Sequence, residues 1–408
     1  MKCRHCAAPL ALSMLDLGSA PLSNAYLTEK TLRLPEKWLP LRVLVCTQCW
    51  LAQTADEIRA EDIFDAEYAY FSSTSTLWLD HARRYVDEMV SRLGLDAASK
   101  VVEVASNDGY LLQYVRDRGV PCLGVEPTAS TAAAARGHGI EVCQAFFSAG
   151  LARELVAHGH AADLTVANNV LAHVPDINDF VAGFALLLKP GGVATFEFPH
   201  LLRLVLGQQF DTIYHEHYSY LSLHCVNTLF QRNGLAVFDV QEIPTHGGSL
   251  RVFAQRSDIG GRPAQAAVAT VLAQEAAAGV TTPAFYRGVQ AAAEQAKNEL
   301  LAFLIDARRQ GRKVAAYGAA AKGNTLLNFA GVRPDLLPWV VDRSPGKLGR
   351  YLPGSRIPIV DEARLIQERP DDVLILPWNL ESEIREQLAF IREWGGRFVT
   401  AIPRLVVR

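Results

Sequence analysis

The chain has 408 residues; half are apolar, 40 are Lys or Arg and 43 are Asp or Glu. That length supports two or three domains with sizeable cores. A formal charge of -3, with no basic run beyond a few residues, gives nucleic-acid binding no support, and no stretch nears the ~20 apolar residues that cross a bilayer.

At the start, Met1-Lys-Cys-Arg-His-Cys6 is not followed by an apolar core, so it does not read as a signal peptide, and the expected compartment is the cytoplasm. Cys3 and Cys6 form one CxxC pair; Cys46 and Cys49 form a second. In a reducing compartment two such knuckles predict a four-thiolate zinc site rather than disulfides. Four thiolates close a tetrahedron, so His5 is a competing ligand without a vacant place and the zinc is structural. The long gap between the pairs predicts a small subdomain, and residues 1–60 are read as a zinc-binding module. Residues 61–75 are aromatic and hydroxyl-rich, which suits either a substrate lid or a packed linker. Apolar residues then recur at helical spacing from Leu77 to Leu93.

From 100 to 200, strands and helices alternate. The strands are Val101–Val104, Cys122–Glu126, Glu141–Cys143, Leu164–Ala167 and Gly192–Phe198. Helices fill 110–118, 129–138, 151–158 and 176–188. That rhythm predicts an α/β fold with a doubly wound parallel sheet. The first strand runs into the small polar loop Ala105–Gly109, with Asn107 or Asp108 able to cap the next helix. Such a crevice, at the carboxyl end of a parallel strand, binds nucleotides. The acid Glu103 and the absent GxGxxG argue against a pyrophosphate. An acidic loop suits S-adenosylmethionine, with its sulfonium and ammonium groups. Glu126 follows Glu103 at the distance a βαβ unit needs to reach a ribose diol.

Two constellations carry acid–base chemistry. His173, in Asn168-Asn-Val-Leu-Ala-His173, falls just after the fourth strand, beside the expected cofactor. Tyr214-His-Glu-His217 lacks the spacing of a helical zinc motif. Read as extended chain, it puts His215 and His217 on one face and Tyr214 and Glu216 on the other. Imidazole, carboxylate and phenol together offer a base near neutral pH and a donor to an oxyanion. Further on, His246-Gly-Gly-Ser249 is a turn entering a strand, and residues 264–310 are helical with a break near Thr281-Thr-Pro283. The last hundred residues open with Tyr317-Gly-Ala-Ala-Ala-Lys-Gly-Asn324, again strand, glycine loop and helix. Lys322 there could face anionic oxygens; a degenerate nucleotide fold kept only for structure is the alternative.

In their order, these pieces resemble the sugar C-methyltransferases of deoxysugar biosynthesis, which act on nucleotide-linked 4-keto-hexoses. The resemblance rests on the paired CxxC knuckles, Tyr70-Phe-Ser-Ser73, the Glu103–Gly109 loop, Asn169–Pro175, Tyr214–His217, His246–Ser249 and Tyr317–Asn324, and covers nearly the whole chain. It implies a zinc module (1–60), a class I S-adenosylmethionine-binding methyltransferase domain (61–260), a helical connector (261–310) and a Rossmann-like substrate-binding domain (311–408). By resemblance, Tyr70, His173, Tyr214, Glu216 and His217 line the reaction centre, with His217 at the position of the base and Glu216 orienting or tuning it. Glu103, Ser106, Asn107, Gly109, Glu126, Phe146 and Asn168 would hold S-adenosylmethionine. Ser72, His246, Arg251, Lys322 and Asn324 would hold a substrate linked to dTDP or another nucleoside diphosphate. The sugar, the methylated carbon and a choice between monomer and homodimer are not legible. An O- or N-methyltransferase of a small metabolite, a scaffold without turnover and a dehydrogenase using the C-terminal glycine loop stand as alternatives.

Overall fold

A computed structural model of the chain describes residues 1–55 and 71–408; Tyr70 and residues 61–69 lie outside the described residues. Strands β1 (Leu12–Ala20), β2 (Leu39–Val45) and β3 (Ala52–Thr54) form an antiparallel meander. The first knuckle precedes β1 and the second lies between β2 and β3. The Sγ atoms of Cys3 and Cys49 are 3.5 Å apart and those of Cys6 and Cys46 are 3.4 Å apart. All four sulfurs lie within 4.8 Å of one another. Thiolates bound at ~2.3 Å on a tetrahedral zinc stand roughly 3.8 Å apart, so the four cysteines fit the ion. His5 is turned away, with Nδ1 2.7 Å from Asn178 Oδ1.

Helix α1 (Thr76–Leu93) starts where Ser75 Oγ accepts from the Trp78 N–H at 3.3 Å and stops at left-handed Gly94. It buries Ala82, Tyr85, Val86 and Met89, one helical stripe. It covers one face of a seven-stranded sheet wound from β4 (Val101–Val104), α2 (Leu112–Asp117), β5 (Cys122–Val125), α3 (Ala129–Gly137), β6 (Val142–Cys143), α4 (Ala149–Ala157), β7 (Ala162–Asn168), α5 (Ile177–Leu187) and β8 (Leu188–Pro199). After α6 (Leu201–Leu206), the short β9 (Ser219–Tyr220) and α7 (Leu223–Arg232), the antiparallel pair β10 (Leu235–Ile243) and β11 (Ser249–Arg256) completes it. The order is β10-β11-β8-β7-β4-β5-β6. Strands β4 to β8 run parallel, and the central β4 and β7 bury nearly every residue, as strands covered on both faces must. The order reverses between β4 and β7, so the crevice opens at their carboxyl ends. This is the class I methyltransferase fold. The sequence reading leaves β10 unassigned.

Helices α8 (Ala266–Ala278), α9 (Pro283–Arg287) and α10 (Val289–Arg309) form the connector, broken before Pro283. Glu275 of α8 accepts from His200 Nε2 and the Leu223 N–H, both at 2.6 Å, and from the His224 N–H at 2.8 Å, fixing the connector to the start of α7. The last domain comprises β12 (Val314–Tyr317), α11 (Ala321–Ala330), β13 (Val340–Val341), β14 (Ile359–Val360), α12 (Ala363–Glu368), β15 (Asp372–Ile375), α13 (Glu381–Gln387), β16 (Arg397–Thr400) and β17 (Val406–Val407). Its sheet, β14-β13-β12-β15-β16-β17, is parallel except for β17. Asp342, the acid a dinucleotide site would present to a ribose, accepts from the Ala319 and Ser344 N–H groups at 2.8 Å and pairs with Lys347 at 3.2 Å. The chain itself fills that half-site. No helix among the described residues is long and apolar enough to cross a membrane.

The three parts share one joint. β9 pairs with β3, Ala52 opposite Tyr220 and Gln53 opposite Ser219, so a strand from the methyltransferase domain closes the zinc-module sheet. β9 begins two residues after His217. Losing a zinc ligand therefore disturbs that segment as well as the knuckles. Cys46→Ser is expected to lower zinc affinity by roughly 10- to 100-fold or more, measured by chelator competition, and to reduce methyl transfer in step with zinc occupancy. Full activity in the zinc-free protein would break this link.

Candidate active site

The loop after β4 is coiled through left-handed residues: Ala105 (φ 58°), Asn107 (φ 50°) and Gly109 (φ 80°). A Cβ on Gly109 would lie 3.2 Å from Ile140 Cγ1 and 3.3 Å from Ala135 Cβ, so glycine serves both the torsion and the close approach. Glu126, at the end of β5, accepts from the Asn107 N–H at 3.0 Å and the Thr128 N–H at 2.9 Å. Asn107 and Asp108 do not cap α2, contrary to expectation. The coil directs them instead to the Ser72 and Ser73 N–H groups, at 2.9 and 3.1 Å. α2 begins at Leu111 without a side-chain cap.

Beneath this loop lie the buried Glu103 carboxyl, faced by the Tyr110 phenol, and buried polar atoms without partners among the described residues: the Ser106 hydroxyl and both amide atoms of Asn168. Burial pushes the Glu103 carboxyl well above its usual range; the Tyr110 phenol opposes this, and Asp108, Glu126 and Glu197 add to it. Orphaned groups of this kind are costly. A ligand with an ammonium or sulfonium charge satisfies them, so the crevice fits S-adenosylmethionine.

The reacting groups gather from two segments tied together by the Tyr218 N–H, which donates to the Ala172 carbonyl at 2.7 Å. His173 sits in a short turn after β7. Its ring meets that of His217 edge-on at 4.7 Å, and the Tyr214 ring lies 4.0 Å from His217 on another side. Tyr214 to His217 is a turn closed by the His217 N–H on the Tyr214 carbonyl at 3.0 Å, not an extended strand. The expected sharing of faces fails for that reason. His215 instead points Nε2 at the Leu39 and Pro40 carbonyls of the zinc module, at 3.2 Å each. His217 Nδ1 lies 2.9 Å from the Thr212 carbonyl oxygen. A carbonyl only accepts, so the proton is on Nδ1 and the lone pair is on Nε2. Glu216 makes no hydrogen bond to His217; its carboxylate accepts from Asn24 Nδ2 at 2.6 Å. The orienting role expected of Glu216 is filled by a backbone oxygen.

Burial holds the imidazoles neutral. It lowers His173 to about 4, against a backbone contact at Glu216 that raises it. It lowers His246 to about 4, helped by Lys322. His217 is held well below 6.5 by burial first, then by His173, with the Thr212 carbonyl opposing and His246 and Lys322 adding. His246 stands in a left-handed conformation (φ 56°, ψ 20°), its ring 5.6 Å from that of Trp78. Strain in a non-glycine residue of this kind gathers at functional sites.

Comparison with known proteins agrees with this architecture. Family models match a zinc binding domain at residues 3–64, a methyltransferase domain at 78–240 and a C-methyltransferase C-terminal domain at 244–403. C-methyltransferase NovU of Streptomyces niveus is 36% identical over 404 residues, 98% of this chain and 95% of that protein. The chain belongs to the C-methyltransferase family. Ubiquinone biosynthesis O-methyltransferase of Sodalis glossinidius is 27% identical over 150 residues, 34% of this chain and 60% of that protein. Magnesium protoporphyrin IX methyltransferase of Synechocystis PCC 6803, solved with bound S-adenosylmethionine, aligns at TM-score 0.33 and 15% identity, covering 44% of this chain and 83% of that one. The enzyme is thus an S-adenosylmethionine-dependent C-methyltransferase with a zinc module.

The remaining sequence-selected residues divide. Ser72 is buried against the cofactor loop, Phe146 is exposed after β6, and Lys322 donates to Asn379 Oδ1 at 2.9 Å with its ammonium 4.7 Å from the centre of the Trp378 ring. Asn324, in the first turn of α11, is buried with both amide atoms unpartnered among the described residues. Arg251 is held within the protein. Its guanidinium is engaged by Glu197 at 2.6 Å, Glu88 at 2.9 Å and Gln241 at 3.0 Å. Sequence reasoning missed Glu197, which also bonds His81 Nε2 at 2.8 Å. Its signal was available: an acid inside the apolar run Ala194–Phe198, like Glu103 in Val101–Val104. It also missed Asp211 and Trp378, discussed below. Two of these histidines give a direct check. In a proton NMR titration, His173 and His246 are expected to protonate near 4, leaving both neutral at pH 7; midpoints near 6.5 would show that neither is buried as described.

Proposed function

We propose that this enzyme removes a proton alpha to the C4 ketone of a nucleotide-linked 4-keto-deoxysugar and methylates the resulting enolate carbon. The observation carrying this reading is the pinned tautomer of His217: Nδ1–H on the Thr212 carbonyl, Nε2 free of any hydrogen bond among the described residues, and His173 and Tyr214 packed against the ring. Transfer to a hydroxyl or amine needs no such enclosure of a base by oxyanion donors. His217 Nε2 takes the proton. His173, Tyr214 or Tyr70 donates to the enolate oxygen, where charge develops. Glu216 lines the centre beside them, held by Asn24. S-adenosylmethionine supplies a methyl group on a sulfonium that departs as a neutral thioether. The protein's part there is placement, with reacting atoms within ~3–3.5 Å.

A base whose pKa is lowered is a weaker base. The same burial strengthens each hydrogen bond to the enolate oxygen, and the anionic substrate, once bound, favours the imidazolium. Glu103, Ser106, Asn107, Gly109 and Asn168 are assigned to the methionine end of the cofactor, Glu126 to the ribose diol and Phe146 to the adenine. Ser72 and His246 are assigned to the sugar, and Lys322 with Asn324 to its anionic end. Arg251 is left out because its Nε and Nη1 are already engaged by Glu197, Glu88 and Gln241.

His217→Asn is expected to bind S-adenosylmethionine normally and to lose solvent exchange of the substrate's alpha hydrogen, read by deuterium incorporation with a panel of 4-keto sugar nucleotides. Exchange that survives the substitution removes His217 from the base position; methylation without exchange in the native enzyme favours O- or N-transfer. The working form of His217 is neutral, and burial favours that form. The acid limb of kcat/KM against pH is therefore expected below 6.5. Glu126→Gln is expected to weaken S-adenosylmethionine binding by about 1.5–3 kcal/mol, measured by calorimetry, with no change in the alpha-hydrogen exchange at saturating cofactor.

A further inference from the structure

The turn that holds His217 is itself held from the C-terminal domain. Trp378 Nε1 donates to Asp211 Oδ2 at 2.8 Å. Asp211 is fully buried, and its other oxygen has no partner among the described residues. Asp211 and Thr212 belong to one short helical turn, Phe210–Thr212, and the Thr212 carbonyl is the acceptor for His217 Nδ1 at 2.9 Å. The other side of the turn is braced by Gln209, whose Nε2 donates to the Gly247 carbonyl at 2.8 Å. Trp378 presses on the same glycine: a Cβ there would lie 2.5 Å from Cη2 of the indole. Lys322 stands over the indole face. A cation at that face draws electron density from the ring and makes its N–H a better donor.

We propose that Trp378 and Asp211 are a positioning pair, through which the C-terminal domain fixes the turn that sets the tautomer and ring plane of His217. Neither touches the reacting atoms. Their hydrogen bond fixes where the Thr212 carbonyl points. Without it, the turn can rotate, the carbonyl leaves Nδ1, and the imidazole is free to carry its proton on Nε2, where it cannot act as a base. This inference rests on His217 being the base, and one readout below does not depend on that.

The test uses the zinc-loaded full-length enzyme and four variants: Trp378→Phe, Asp211→Leu, the double variant and Asp211→Asn. In long-range nitrogen–proton NMR of the resting protein, native His217 is expected as the Nδ1–H form. Trp378→Phe and Asp211→Leu are expected to add the Nε2–H form. Both are expected to lower kcat for alpha-hydrogen exchange by roughly 10- to 100-fold with substrate KM unchanged. Asp211→Asn keeps an acceptor oxygen and is expected to retain most of the rate. The double variant is expected to be no slower than the worse single one, as for two ends of one bond. A native-like tautomer with a native-like exchange rate in Trp378→Phe overturns the proposal. So do losses that multiply in the double variant, or an effect confined to KM, which would make the indole a substrate contact. If His217→Asn still exchanges, the assignment of the base fails, while the tautomer spectra continue to judge the pair.

Discussion

Two backbone pairings, Ala52 with Tyr220 and Gln53 with Ser219, are the constraint on which the site depends. A two-residue strand has no stability of its own. β9 exists because β3 offers it an edge, and β3 is held in turn by the second cysteine knuckle. The Tyr218 N–H then ties the same segment back to Ala172, beside His173. His217 thus lies between two anchors, one in the zinc module and one at the end of β7. The zinc module is thus tied through β3 and β9 to the segment that carries His217. The metal replaces a hydrophobic core too small to hold a sheet edge rigid.

The second constraint is electrostatic. The sheet's carboxyl edge collects Glu103 and Glu126 with Asp108 close by, and the opposing wall collects His173, His217 and His246. Burial drives Glu103 toward its neutral form by raising its pKa, and the three imidazoles toward theirs by lowering it. The cleft thereby avoids a large desolvation cost in its resting state. Glu197 is the contrast. Burial alone would raise it, yet His81 and Arg251 outweigh that and hold it below the usual carboxylate range. It is an ionised structural member of the edge, paired with Arg251.

Local signals made the fold readable. Continuous apolar strands such as Val101–Val104, helical stripes such as Leu77–Leu93 and the cysteine pairs each act over a few residues, and each led to the element observed. The site was readable only as a set of residues. Tyr214–His217 could be singled out by composition, but its shape could not. An alternating reading assumes an extended strand, whereas a single hydrogen bond from the His217 N–H to the Tyr214 carbonyl makes it a turn and sends His215 to the zinc module. Thr212, which orients His217, was invisible because it acts through a carbonyl that every residue has. Trp378 was invisible for another reason: it reaches Asp211 across 167 residues of chain, a contact no local pattern encodes.

The loop from Glu103 to Gly109, taken alone, specifies only a cofactor of suitable charge. Direction comes from the parts that surround it. Asn107 and Asp108 hold the backbone of Ser72 and Ser73 against the loop. His246, strained into a left-handed conformation beside Trp78, and Trp378, wedged against Gly247, close the cleft from the strand β11 side and from the C-terminal domain. Each of the three domains therefore contributes a wall, and no domain alone encloses His217. Carbon methylation demands this more than transfer to oxygen or nitrogen does. A hydroxyl or amine presents a lone pair as it arrives, whereas a carbon must first be made nucleophilic and then kept from recapturing a proton from water. The half-buried His217, proposed as the base, would serve both needs at once.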